Sequence, residues 1–110
     1  MDGESLVYIR HIFDEVKYLK GLTEKISFEE FMENETYRRA AERSIEIIGE
    51  ASNNISEETA KEFSDIDWSG MYKMRNRLIH GYFKVEPVLV WDTMVTDIPD
   101  LFEKISVIFH

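Results

Sequence analysis

Apolar residues recur every three or four positions along most of this 110-residue chain. This spacing places them on one face of an α-helix, and no alternating pattern typical of β-strands competes with it. The first such segment covers residues 5–20, and we expect it to end at Gly21. Its apolar positions are Leu6, Ile9, Phe13 and Val16. The periodicity therefore predicts an all-α protein.

Local signals divide the middle of the chain into further helices. Ser27 and Glu30 have the spacing of a capping box, so a helical turn should begin there and pause near Asn34. A longer helix is predicted from Glu35 to about Ile55. Gly49 lies inside it at a cost of about 1 kcal/mol relative to alanine. We expect the close approach of another helix backbone to compensate for that cost.

Two more helix starts follow. Ser56 is the expected cap of a short helix that ends near Phe63, and Asp67 is the expected cap of a helix that begins at Trp68. Tryptophan at that position is more typical of a core than of a surface on which a base stacks.

The last helix is predicted to begin at Pro87, because proline suits the first helical turn. Pro99 should kink or restart this helix, with Asp97 as the new cap. The whole chain, residues 1–110, then forms a single domain. The predicted architecture is an antiparallel up-and-down helical bundle of four long helices plus one or two short ones.

Residues 71–82 combine apolar, basic and titratable side chains. Met71, Met74 and Leu78 share one helical face and should point into the core, which leaves Lys73 and Arg77 outside it as candidate contacts to an anionic ligand. Gly81 has the position of a residue just past a helix end.

His80 is therefore expected in the last helical turn, where the carbonyl end of the helix favours the protonated imidazole. Asn76, four residues earlier, should share its face, whereas Arg75 should diverge from it by about 140°. Arg75 is the best candidate phosphate clamp, because a guanidinium makes paired bonds to phosphate oxygens. Glu50 on the preceding long helix is a candidate to orient Arg75 or Asn76; an ordinary exposed carboxylate is the alternative.

The distribution of charge limits the classes of partner. A formal net charge of −9 argues against a general nucleic-acid coat. Residues 69–85 nevertheless carry +4, from two lysines and two arginines without any acidic residue. An acidic shell around one basic cleft can admit a phosphate backbone locally. A solvated basic face that balances acidic neighbours is the plainer alternative.

Composition excludes several other classes. The chain has no cysteine and only three scattered histidines, so we expect neither disulfides nor a metal site. It also lacks a P-loop and a glycine-rich dinucleotide turn, and we expect no cofactor. No apolar run approaches the ~20 residues that span a bilayer, so a cytoplasmic protein without membrane contact is expected.

The pattern Arg75-Asn76-x-x-x-His80-x-Tyr82 resembles the signature of HepT-like toxins in the HEPN superfamily of small helical ribonucleases. Residues 41–51 resemble the second-helix pattern of that family, and Trp68 is similar to its usual tryptophan. Trp91 with residues 97–101 resembles its C-terminal segment. The resemblance covers roughly residues 36–102.

The resemblance implies a HEPN-like bundle that forms a homodimer, in which Arg75 and His80 of both chains meet in one cleft. It implies a metal-independent endoribonuclease toxin that cleaves RNA, with tRNA as a candidate substrate. It further implies a MntA-type minimal nucleotidyltransferase as the antitoxin, which transfers AMP units to Tyr82. The alternative is a non-catalytic helical partner, or a nucleotide-binding module, of such a transferase.

Overall fold

The computed structural model describes residues 1–80 and 84–109, and within them the chain forms six α-helices and a terminal 3-10 turn. The long helices are α1 (Gly3–Lys25), α3 (Glu35–Ser52), α5 (Trp68–Leu78) and α6 (Pro87–Ser106), and the short ones are α2 (Phe28–Glu33) and α4 (Glu57–Glu62). The predicted all-α bundle with four long helices and two short ones is confirmed.

The core forms where α1 packs against both α3 and α6, while α3 also packs against α5. The fully buried side chains are mostly branched aliphatic ones, as expected for helices that bury one apolar stripe each. They include Ile9, Ile12, Leu19, Ile45, Ile48, Leu78, Met94 and Ile98. Helix α3 thus lies between α1 and the basic helix α5.

Short polar side chains set where α2 and α3 begin. Ser27 accepts a hydrogen bond from the Glu30 amide at 3.1 Å, and the Glu30 carboxylate accepts one from the Ser27 amide at 3.2 Å, which confirms the predicted capping box. The backbone N–H of Asn34 donates to the Glu30 carbonyl at 3.0 Å, and the side-chain oxygen of Asn34 accepts from the Tyr37 backbone N–H at 3.2 Å. Asn34 therefore ends α2 and begins α3 without a connecting loop.

Two predicted helix interruptions are wrong. Helix α1 continues through Gly21 because Leu22 and Ile26 extend its buried stripe. Helix α6 continues through Pro99, so the predicted restart with Asp97 as its cap is wrong. A proline inside a helix costs about 3 kcal/mol. Burial of Ile98 and Ile105 on either side of it offsets that cost.

Asp2 joins the start of α1 to the start of α4. One carboxylate oxygen accepts from the Ser5 amide at 2.6 Å, and the other accepts from the hydroxyls of Ser56 and Thr59 at 2.7 and 3.1 Å. These bonds to the ionised form, those of Ser56 and Ser5 above all, lower the pKa of Asp2.

Within the described residues no helix combines the length and the apolar character needed to cross a membrane.

Candidate active site at the end of helix α5

Asp67 and Trp68 fix the start of α5. Asp67 accepts a hydrogen bond from the Gly70 amide at 3.0 Å and so caps the helix. Trp68 is 5% exposed and donates its indole N–H to the Phe63 carbonyl at 3.2 Å. Both residues act as predicted, Asp67 as the cap and Trp68 as part of the core.

The sides of α5 divide as the spacing indicated. Met71 and Leu78 are buried and Met74 packs against the core, whereas Lys73 and Asn76 are exposed. Arg75 lies at the edge of the buried stripe and faces α3. Two arginines in the last turn also match the partial negative charge at the carbonyl end.

The helix ends earlier than expected, at Leu78, so the prediction that His80 lies in the last helical turn is wrong. Ile79 adopts an extended conformation, with φ −125° and ψ 104°, and forms an antiparallel bridge with Val85. The Glu86 amide donates to the Leu78 carbonyl at 3.3 Å, which satisfies a group that the helix leaves free. A β-branched, buried side chain at residue 79 favours this extended pairing over another helical turn.

His80 follows this bridge and is exposed. Its amide donates to the Lys84 carbonyl at 2.8 Å, so its backbone is held by the bridged segment rather than by the helix. The expected alignment of Asn76 and His80 on one helical face therefore does not hold. Arg75 and Asn76 instead come together, since the Arg75 Nη1 donates to the Asn76 side-chain oxygen at 2.8 Å.

The Arg75 side chain packs directly against Gly49 of α3. A Cβ atom built on Gly49 would lie 2.6 Å from the Arg75 Cβ and 2.9 Å from its Cγ. The sequence predicted a close approach at Gly49. The approaching atoms belong to the Arg75 side chain rather than to a helix backbone. The Arg75 Nε is buried and has no hydrogen-bond partner among the described residues.

Glu50 lies beside this contact but faces another groove. It is exposed and lines that groove together with Tyr8, His11 and Asn54. In the described part of the single chain, no hydrogen bond or ion pair joins its carboxylate to Arg75. The role suggested for Glu50 stays a prediction.

The two candidate RNA contacts on α5 have different surroundings. Lys73 is exposed to solvent. Arg77 lines a groove between α5 and α6 in which three aspartates (Asp67, Asp97 and Asp100) outnumber the cations Arg77 and Lys104, and this balance disfavours a phosphate there. Tyr82 and Gly81 lie outside the described residues, so the predicted modification site has no structural description.

A charged cleft on α3 adjoins the Ile79–Val85 bridge and was missed by the sequence analysis. Its volume is about 510 Å³, and arginines alternate with glutamates along its wall. The lining side chains are Glu35, Arg38, Arg39, Glu42, Arg43, Glu46, Ile79 and Val85. Their opposite charges cancel in any count along the sequence. The i, i+1, i+5 spacing of the arginines was the available signal.

All three arginines of this cleft already have partners, and that of Arg43 is the Glu46 carboxylate at 3.6 Å. Arg38 donates to the Phe31 and Met32 carbonyls at the end of α2, and Arg39 pairs with Glu35 at 2.8 Å. Burial, and then the nearby Glu46 carboxylate, raises the pKa of Glu42. The cleft is thus a balanced ionic surface next to the candidate site.

The chemistry available at the end of α5 is proton transfer and anion binding. An exposed imidazole can exchange a proton with a ligand, and a guanidinium whose stem is fixed can direct its remaining N–H groups at an anion. Within residues 1–80 and 84–109 no cluster of His, Asp and Glu side chains has the arrangement of a metal site.

Comparisons with known proteins place the chain in a family. The model of the family described as Ribonuclease HepT-like matches residues 12–108. The chain is 38% identical over 103 residues to a protein of Caldanaerobacter subterraneus subsp. tengcongensis whose name marks it as an inferred RNase. That alignment covers 94% of this chain and 92% of the relative.

Two further relatives give the same result. A protein of Thermococcus cleftensis named probable ribonuclease HepT is 38% identical over 101 residues, which cover 89% of this chain and 92% of that protein. A Methanocaldococcus jannaschii protein, again named as an inferred RNase, is 30% identical over 99 residues, with coverage of 90% and 82%. No solved structure matches the chain.

The family match spans nearly all of the helical bundle, including the candidate site at the end of α5. It confirms the resemblance inferred from the sequence and the predicted class of enzyme, a ribonuclease. The chain belongs to the HepT-like ribonuclease family.

Proposed function

We propose that this protein is a metal-independent endoribonuclease in which Arg75 binds the scissile phosphate and His80 transfers protons. The observation that carries the proposal is the arrangement at the end of α5. Arg75 is fixed by its stem against Gly49, and His80 is exposed directly after the helix. A buried imidazole would have argued against the proposal.

The proposed reaction needs no external co-reactant. The ribose 2′-oxygen forms a bond to phosphorus while the bond from phosphorus to the 5′-oxygen breaks, which leaves a 2′,3′-cyclic phosphate and a 5′-hydroxyl. One group accepts the 2′-hydroxyl proton and another protonates the leaving oxygen. The Arg75 guanidinium stabilises the charge that develops on the phosphoryl oxygens.

One chain offers a single histidine at this helix end, whereas the reaction uses two proton-transfer groups. We therefore propose a homodimer in which a second copy of His80 supplies the other group. Support comes from the exposure of His80, which leaves its imidazole open to a second chain. Asn76 holds the Arg75 guanidinium, and Lys73 is a proposed contact to flanking phosphates. The supporting role of Glu50 belongs to the same dimer.

The biological setting proposed here rests on the family. The enzyme acts as the toxin of a toxin–antitoxin pair, with tRNA as an RNA substrate and a MntA-type minimal nucleotidyltransferase as its antitoxin. AMP units added to Tyr82 would place negative phosphates close to Arg75 and His80 in sequence. Such phosphates would compete with RNA for the guanidinium and so block the site.

The direct test is cleavage of RNA by purified protein in the presence of EDTA. We expect cleavage products with 2′,3′-cyclic phosphate ends, and a loss of roughly 10²–10⁴-fold in rate for His80→Ala. Arg75→Ala should lose a similar amount. Lys17→Ala, which removes an exposed cation on α1, is the control and should cleave normally. Full activity of both site variants would overturn the proposal.

A non-catalytic partner or nucleotide-binding module is the second candidate function. The net charge of −9 and the ion-paired cleft on α3 favour it, because both weaken a general attraction for RNA. Expression in a host cell separates the two. Growth arrest by the wild type that His80→Ala relieves supports the nuclease, and harmless expression of both proteins supports the module. Intact mass after co-expression with the transferase, with Tyr82→Phe as the control, tests the AMP transfer.

A further inference from the structure

We infer that Gly49 is a positioning residue for the ribonuclease reaction: it sets the location of Arg75 by letting α5 pack directly on α3. This inference rests on the proposed role of Arg75. It assigns to a residue of α3, which itself touches no substrate, the task of placing a side chain on another helix.

The contact between the two helices leaves no room for a side chain at residue 49. Gly49 is buried, and a Cβ there would meet three successive carbons of Arg75, at 2.6, 2.9 and 3.4 Å. Ordinary van der Waals contact begins at about 3.4 Å. The Arg75 stem therefore occupies the space that any other residue at position 49 would fill.

The nearest atom is the Arg75 Cβ, and this decides what a substitution does. The far end of an arginine can swing aside, but a Cβ is fixed to the backbone of α5. Relief of the contact from 2.6 to 3.4 Å requires α5 and α3 to separate locally by about 0.8 Å. A larger residue at position 49 thus moves the helix that carries Arg75 and Asn76.

The Arg75 Nε, one bond beyond the Cδ at this contact, is buried and has no hydrogen-bond partner among the described residues. A buried donor without a partner costs about 1–3 kcal/mol, so this feature is locally unfavourable. Gly49 itself also lowers helix stability relative to alanine. Two locally unfavourable features at one contact indicate that the placement of the guanidinium is what the contact provides.

Gly21 supplies a matched control. It also lies inside a long helix, but a Cβ there would have no neighbour within 4 Å. Gly49→Ala and Gly21→Ala are therefore the same chemical change, with and without the contact to Arg75.

We expect Gly49→Ala to cleave RNA on the order of 100-fold more slowly, because a displacement near 1 Å of a catalytic group has about that effect. The loss should fall on kcat rather than on KM. Gly21→Ala should retain wild-type activity. The double variant Gly49→Ala/Arg75→Gly, which removes the Cβ that the new methyl group would meet, should be no slower than Arg75→Gly alone, since Gly49 acts through Arg75; an additive loss would contradict the inference.

Two outcomes separate this inference from the proposed function. Wild-type activity of Arg75→Ala would overturn the role of Arg75, and the role of Gly49 with it. A loss in Arg75→Ala together with wild-type activity in folded Gly49→Ala would overturn the inference alone.

A measurement on the wild type applies even if Gly49→Ala fails to fold. In 15N-labelled protein the Arg75 Nε–H should exchange with water more slowly than that of the exposed Arg39, because it is buried next to the Cδ that packs against Gly49. Equal exchange rates would show that the Arg75 stem is not held in this contact, and would overturn the inference.

Discussion

The His80 amide donates a hydrogen bond to the Lys84 carbonyl at 2.8 Å, so the backbone of the candidate catalytic histidine is fixed while its imidazole is exposed. The side chain is consequently not used to stabilise the bundle. Stability and activity should respond differently to its replacement.

His80→Gln should test this separation. The backbone bond to Lys84 does not depend on the side chain, so we expect the free energy of unfolding to change by no more than about 0.5 kcal/mol. RNA cleavage should fall by roughly 10²–10⁴-fold, since glutamine cannot transfer the proton. Urea denaturation and cleavage of a labelled RNA measure the two quantities. A large loss of stability would mean that the imidazole has a structural role.

Asp67→Ala should destabilise the protein by about 1 kcal/mol, because it removes the cap of α5. For a domain of this size the melting temperature should fall by about 4 °C. Asp65→Ala removes the same charge from an exposed position two residues earlier and is the control. Equal melting temperatures for the two variants would show that the cap contributes nothing.

The lowered pKa of Asp2 predicts that the stability of the fold depends on pH. Hydrogen bonds from Ser56 and Ser5 lower the pKa of Asp2 in the folded protein, so the stabilisation is fully present above its ordinary value of 3.8. It is lost as the pH falls below that value towards the lower pKa of the folded state. Asp2→Asn keeps a capping side chain without the titration.

Melting temperatures of wild type and Asp2→Asn should therefore differ by a constant amount from pH 7 to about pH 5, well above the ordinary pKa. The difference should shrink as the pH falls further. A constant difference down to pH 2 would contradict the lowered pKa.

The raised pKa of Glu42 predicts the opposite dependence of stability on pH. Burial and the neighbouring Glu46 raise the pKa of Glu42, so its ionised form destabilises the fold at neutral pH. The penalty disappears as the pH falls through the raised pKa towards the ordinary value of 4.5. Glu42→Gln should melt at a higher temperature than the wild type at pH 7, and at the same temperature at pH 4. The exposed Glu33→Gln is the control.

The helix starts were predictable from sequence because a cap involves residues only three positions apart. Ser27, Ser56 and Asp67 each accept the bond that their spacing predicted. Local signals could not predict that α1 continues through Gly21 and α6 through Pro99. In both cases burial against other helices outweighs the local cost of the residue.

The candidate site was predictable only in part. The choice of Arg75 as a candidate phosphate clamp and the apolar face of α5 both follow from the sequence of this one helix. The end of α5 at Leu78 depends on Ile79 pairing with Val85 across a connection, which no helical periodicity reveals. The contact of Arg75 with Gly49 depends on how two helices approach each other. The catalytic roles of Arg75 and His80 and the modification of Tyr82 stay predictions.

Asn34 is the single residue between α2 and α3, so no loop connects the two helices. Asn34 both closes one helix and opens the next, and Phe31 in the last turn of α2 is buried, so we expect an extra residue at this joint to disturb the packing of Phe31. We expect evolution to accept insertions elsewhere on the surface far more readily than at this joint.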